Sequence, residues 1–171
     1  GMIAKSENYL GIINYSKGNL LTALEHYQMS QQIYKAIGDK SGAVKPSNNI
    51  ANVYNSLGEF EKAIKIYEEA FQTNLDLNLI DEAAANLFNI AAANLNLQRY
   101  DQARIKLKQL EELNKLSPSS IDPCFLMSDV FKHENKLDSA LHCLHKAYDL
   151  CIESGDEYFL ASVMLSKAEV Y

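Results

Sequence analysis

Neither a membrane span nor a disulfide framework can be drawn from this sequence. The longest weakly polar stretch, Ala83 to Ala93, is interrupted by Asn86 and Asn89, so no helix of about 20 apolar residues is on offer. Cys124, Cys143 and Cys151 form an odd set without CxxC spacing, and they read as reduced, structural thiols. No Gly-rich phosphate loop, nucleophile elbow or HExxH helix occurs in the chain, which leaves enzymatic chemistry without its usual carriers. The N-terminus shows no basic flank followed by an apolar run of signal length, so a cytoplasmic protein is expected. Positive charge is short as well: 16 Lys and Arg face 22 Asp and Glu, for a net charge of -6. No basic cluster offsets this locally, so neither nucleic acid nor a membrane is expected as a direct partner.

What is present is ordinary for one globular domain: 171 residues, 47% hydrophobic and 22% charged. Self-comparison is more informative. Four segments share a Gly or polar residue, an aromatic or Leu two positions on, and Ala three further: Gly18 to Ala23, Gly58 to Ala63, Gln98 to Ala103 and Asn135 to Ala140. Ala23, Ala63, Ala103 and Ala140 stand 40, 40 and 37 residues apart. Gly155-Asp156 lies 117 residues after Gly38-Asp39, the sum of those spacings, and opens a fifth copy.

Each copy divides into two amphipathic helices. In copy two Phe60, Ala63, Ile64, Tyr67, Ala70 and Phe71 hold the i, i+3, i+4, i+7 spacing of one helical face. Leu137, Ala140, Leu141, Leu144, Ala147, Tyr148 and Cys151 repeat it in copy four. The earlier helix is marked by Ile50, Ala51, Val53, Tyr54 and Leu57, and one copy later by Leu87, Ile90, Ala91 and Leu97. Gly18, Gly58 and Asn135 fall where a helix must stop and tolerate the left-handed conformation that closes a C-terminus; Gln98 in that place is a weaker cap. Small residues recur where two helix axes approach: Gly11, Ala51, Ala91, Ser128 and Ala168 on first helices, facing the alanines of the second. Pro46 either lies inside the first helix of copy two, if that helix starts after Asp39, or belongs to its first turn. Ser117 to Pro123 reads as a loop and cap.

This register resembles the tetratricopeptide repeat, on Leu10-Gly11, Ile50-Ala51, Ile90-Ala91 and Met127-Ser128, then the four alanines, then Tyr27, Tyr67, Leu107 and Leu144. The 40-residue spacing is similar to the longer-helix variants of kinesin light chains and bacterial peptide-sensing regulators, and departs from the usual 34. Glu7, Ser47, Leu87 and Cys124 replace the family's first large residue, and Asn14 and Asn94 replace its Tyr in two copies. The resemblance implies an all-α, right-handed α-solenoid of antiparallel hairpins: four hairpins plus a C-terminal half repeat, nine helices in one domain. The repeats fall at about 4–40, 41–80, 81–117, 121–154 and, in part, 156–171.

His142, Cys143 and His145, with Cys151 further along, make an incomplete metal set, because Cys143 and Cys151 belong to other faces of that helix. His133 and Asp129 form an i, i+4 pair without a nucleophile beside them. No catalytic residue, metal or cofactor is expected, and the chain is not expected to be an enzyme.

Asparagine on the first helices is the more telling pattern. In copy two, Asn48, Asn49, Asn52 and Asn55 share one face, opposite Ile50, Val53, Tyr54 and Leu57. Phe88, Asn89 and Asn96 occupy that face in copy three, and Phe125 in copy four, with the two phenylalanines expected to be exposed. Asn presents donor and acceptor together, so it can match the alternating N–H and C=O of an extended chain. Its low helix propensity, roughly half a kcal/mol below Ala, makes it a costly filler. Asn48, Asn49, Asn52, Asn55, Phe88, Asn89, Asn96 and Phe125 are therefore the expected groove for an extended peptide or protein partner. A sensing or scaffolding part of a larger bacterial regulator is the role the resemblance implies. Self-association, for instance a homodimer through the C-terminal half repeat, is the alternative.

Overall fold

A computed structural model describes residues 1–117 and 122–170 of the chain, and the regular structure there is helical, without strands. Nine helices follow in order among the described residues: α1 (Met2–Ser16), α2 (Leu20–Ala36), α3 (Lys40–Ser56), α4 (Phe60–Asp76), α5 (Ile80–Asn96), α6 (Tyr100–Leu116), α7 (Cys124–His133), α8 (Leu137–Ser154) and α9 (Glu157–Ala168). Each helix packs on the next in sequence, and α1 also meets α3 as α5 meets α7. The result is a helical solenoid of four hairpins and a half repeat. First helices α1, α3, α5, α7 and α9 form one layer, and second helices α2, α4, α6 and α8 the other. Most of the loop read at Ser117 to Pro123, like Tyr171, lies outside the described residues.

The regularity comes from the helix ends. Positive φ occurs at Gly18, Gly38, Gly58, Asn78 and Gln98, a beat of 20 residues that resumes at Asn135 and Gly155. At each, paired bonds close the helix: Gly18 N–H donates to the Tyr15 carbonyl (2.9 Å) and Asn19 N–H to that of Asn14 (2.9 Å), and the same pair recurs at Gly58 and Glu59. Five successive helices from α2 to α6 are 17 residues long, so each spans about 25 Å at 1.5 Å per residue. Gln98 takes the same left-handed conformation, φ 57°, as the glycines.

Close axial approach explains the small residues. Ala23, Ala51, Ala63, Ala91, Ala103, Ser128 and Ala140 are fully buried. At Gly11, a Cβ would stand 2.5 Å from the Tyr27 ring, so that ring fills the space another side chain would need. Leu107 and Leu144 take the place of Tyr27 and Tyr67 in the later hairpins and are fully buried, each stabilising the fold by about 1.5–3 kcal/mol. Ala168, the fifth small position, is instead exposed, because no second helix packs on that side of α9 among the described residues. Helix α3 starts at Lys40, capped by Asp39, whose Oδ1 accepts from the Gly42 N–H at 2.7 Å. Pro46 therefore sits inside the helix and is buried, at the loss of one ladder hydrogen bond.

Candidate functional site

The first helices bring most of the expected groove residues onto one connected strip, but many of their polar ends are already used. Asn49 Nδ2 donates to Asn8 Oδ1 at 3.0 Å and ties α3 to α1. Asn52 Oδ1 accepts from the Tyr67 hydroxyl of α4 at 2.5 Å. Asn48 Oδ1 accepts from Asn86 Nδ2 at 2.9 Å, and Asn86 Oδ1 from Asn74 Nδ2 at 2.7 Å. Asn74 and Asn86 are fully buried, so Asn48 is the outer end of a three-asparagine relay joining α3, α5 and α4. A relay of this kind fixes register between hairpins, because any slip would strand further buried amides beyond Asn74 Oδ1, which is buried without a partner among the described residues.

Other ends stay open. Asn89 is half-buried and its side chain makes no hydrogen bond among the described residues, whereas Asn55 Oδ1, also without a partner among them, is buried and closed to a ligand. Asn49 retains its carbonyl and Asn52 its amide for a ligand. Asn96 is exposed and faces a hollow of 360 Å³ shared with Tyr100, Asp129, Lys132 and His133.

The two phenylalanines correct the expectation of exposure. Phe88 is half-buried against two clusters, one around Leu107 and Met127 and one around Leu87 and Leu110. Phe125 is half-buried too and meets Phe159 of α9 edge-on, with ring centroids 4.9 Å apart and planes at 68°. Both fill the wedge between successive hairpins, which is where an aromatic side chain on a first helix finds most apolar surface. Only the part of each ring left open is available to a partner.

The titratable candidates fall into structural roles. Asp129 pairs with Lys132 (2.7 Å) instead of His133, which stacks on Tyr100 at 3.7 Å and 6° between planes. Cys143 is buried in contact with Cys124, and Cys151 packs with Leu144 and Val163. Among the described residues no three His, Cys, Asp or Glu side chains converge on a metal position. Burial pushes the Tyr67 phenol up from its ordinary value, so it is a standing donor to Asn52.

Sequence reasoning missed two features. The Asn74–Asn86–Asn48 relay had a signal, an Asn at a core position of each of two neighbouring helices, but the pairing depends on how hairpins stack. The second is a groove of 470 Å³ between α1 and α3, walled by Lys5, Asn8, Tyr9, Ile12 and Lys45 with Tyr34 behind. Lys5 and Lys45 occupy matching places one repeat apart, and neither has an ion pair among the described residues.

Residues 2–76 match the tetratricopeptide repeat family. The chain is 24% identical over 153 residues to the protein kinesin light chain-related 2 of Arabidopsis thaliana, covering 84% of this chain and 23% of that one. It is 27% identical over 160 residues to the TPR repeat-containing protein YpiA of Bacillus subtilis, covering 91% and 35%. The chain thus spans about a quarter to a third of these curated relatives. Among solved structures, the apo form of RapI superposes with a TM-score of 0.88 at 16% identity, over 99% of this chain and 63% of that one. Aspartyl phosphate phosphatase F from Bacillus subtilis gives 0.86 at 18%, over 98% and 45%. A Rap protein complexed with competence and sporulation factor gives 0.80 at 15%, over 98% and 52%. At these identities the superpositions establish the fold.

Proposed function

We infer that the chain, a helical solenoid whose residues 2–76 match the tetratricopeptide repeat family, binds another protein by holding an extended segment across α1, α3, α5 and α7. The observation that carries this reading is the set of first-helix amides with an unused end: Asn49, Asn52 and Asn89 on adjoining helices. An extended backbone offers a donor or acceptor about every 3.3 Å, and open amides on a rigid layer are suited to it without reading side chains. The superposition on a Rap protein complexed with a factor supports a binding role. The finer reading is a cytoplasmic sensing or scaffolding part of a larger bacterial regulator, acting by binding and not by catalysis. Among the described residues no nucleophile paired with a base lies along the strip, which favours this, although one structural neighbour is named a phosphatase.

The test is capture of a partner by the wild-type chain, then calorimetry on the Asn52→Ala, Asn89→Ala double variant. Affinity is expected to fall by about 0.5–1.5 kcal/mol per lost bond, with the variant folded at a lowered melting temperature because Asn52→Ala strands the buried Tyr67 hydroxyl. Unchanged affinity of the folded variant would show that these asparagines take no part in binding. A second reading, self-association through the ends of the solenoid, is favoured by one observation: α9 exposes Met164 and Leu165, 55% and 66% accessible, beside Ala168.

A further inference from the structure

The lysines of this chain are divided in a way its overall charge conceals. The first 50 residues carry five lysines against three acids, a net of +2 in a chain of -6. None of those five, Lys5, Lys17, Lys35, Lys40 or Lys45, has an ion pair among the described residues. Farther along, eight of the 11 cations, Lys62, Arg99, Arg104, Lys106, Lys115, Lys132, Lys136 and Lys146, have at least one. Cations left unpaired in an acidic protein are not needed to balance their own fold, and two of them, Lys5 and Lys45, flank the 470 Å³ groove between α1 and α3. That groove adjoins the asparagine strip through the Asn49–Asn8 bond.

We propose that the α1–α3 groove anchors an acidic stretch of an extended partner, two Asp or Glu side chains two residues apart. The inference rests on the peptide-holding reading above and adds the chemistry of the ligand and its placement. Axes of helices in contact lie about 8–10 Å apart. An extended chain advances about 3.3 Å per residue, so two carboxylates at that spacing meet Lys5 and Lys45 one to one. A chain terminus brings a single carboxylate and would leave one ammonium unmatched. Between the charges, Ile12 and the Tyr9 ring give an apolar floor to the partner's backbone and the stems of its acidic side chains. The acidic end of the partner lies over α1 and α3, because the remaining 121 residues carry 19 acids against 11 cations and repel it.

A display library of random dodecapeptides is panned on the full chain and, in parallel, on the Lys5→Glu, Lys45→Glu variant. Both positions are exposed and unpaired, so the variant is expected to melt with the wild type. The milder Lys5→Gln, Lys45→Gln pair serves if it does not. Wild type is expected to enrich peptides with at least two Asp or Glu, whose resynthesised forms bind the variant on the order of tenfold more weakly and lose affinity as salt rises. Peptides selected without acidic enrichment, or bound equally by the variant, overturn the anchor and leave the groove standing. If neither protein selects any peptide, the groove reading itself falls, and the anchor with it.

Discussion

A non-glycine residue in the left-handed region costs about 1–2 kcal/mol relative to its right-handed state, and Gln98 carries that cost at φ 57°. Its helix has to close there, since the Gln98 and Arg99 N–H groups bond the Leu95 and Asn94 carbonyls, both at 2.8 Å. Gly18 and Gly58 do the same task without a Cβ to clash. Gln98→Gly should therefore stabilise the chain by about 1 kcal/mol, less the entropy a glycine adds to the unfolded state. That corresponds to a rise of roughly 2–4 °C in melting temperature for a chain of this size. A melting point below wild type would mean that the Gln98 side chain contributes a contact the helix end needs. The left-handed role of Gln98 was legible from its repeat position, although its residue type argued against it. The relay of Asn74 and Asn86 was not, because periodicity reports which face a residue occupies and not whether its amide finds a mate on the neighbouring hairpin.

Among the elements, α7 stands apart: it has 10 residues where its counterparts α3 and α5 have 17. Leu126, Met127 and Val130 of α7 are buried in the cluster it shares with α5, α6 and α8, and discrete tethers add to that packing. Arg104 of α6 pairs with Glu134, Tyr100 stacks on His133, and Lys146 of α8 reaches Asp122 at 2.7 Å just ahead of α7. Burial works against the charge on Asp122, yet the Lys146 ammonium and the Cys124 N–H, donating at 2.8 Å, hold its carboxyl below the usual value. A depressed carboxyl stabilises the fold above its unfolded value and loses that contribution as pH falls through the folded one. Wild type should thus exceed Asp122→Asn in urea stability by about 0.5 kcal/mol at neutral pH, since Lys146 is half exposed. The gap should close below about pH 4. A gap that persists in acid would assign the effect to packing rather than charge. The hairpin order was readable from the alanine spacing of 40, 40 and 37, and the short 37 marked this joint. Which side chains bridge it was not readable, since Arg104 and Glu134 share no local pattern and meet only when α6 and α7 are stacked.

At the scale of the whole molecule, a solenoid buries each apolar face against the next repeat, so its end faces depend on what lies beyond them. On α1, Ile3, Leu10 and Ile13 are exposed. Their counterparts one repeat on, Ala43, Ile50 and Val53, are buried. Helix α9 exposes Met164, Leu165 and Ala168 on the side that first helices elsewhere turn to their own second helix. Charge decides how two copies would use these faces. Residues 137–171 carry six acids against two lysines, whereas the first 50 residues are net positive. Pairing α9 with α9 would set acid against acid, while pairing α9 with the α1 end of another copy sets opposite charges together and buries apolar surface on both. Such a contact is heterologous and open-ended, so mass should climb with concentration instead of stopping at a dimer. Sedimentation of the wild-type chain should show that rise, reduced by salt, and Met164→Glu with Leu165→Glu should hold the protein at monomer mass. Those positions are exposed, so the variant should melt within about 0.5 kcal/mol of wild type in stability. A wild-type chain that stays monomeric at high concentration would remove self-association as the alternative and leave the first-helix strip as the surface to which function belongs.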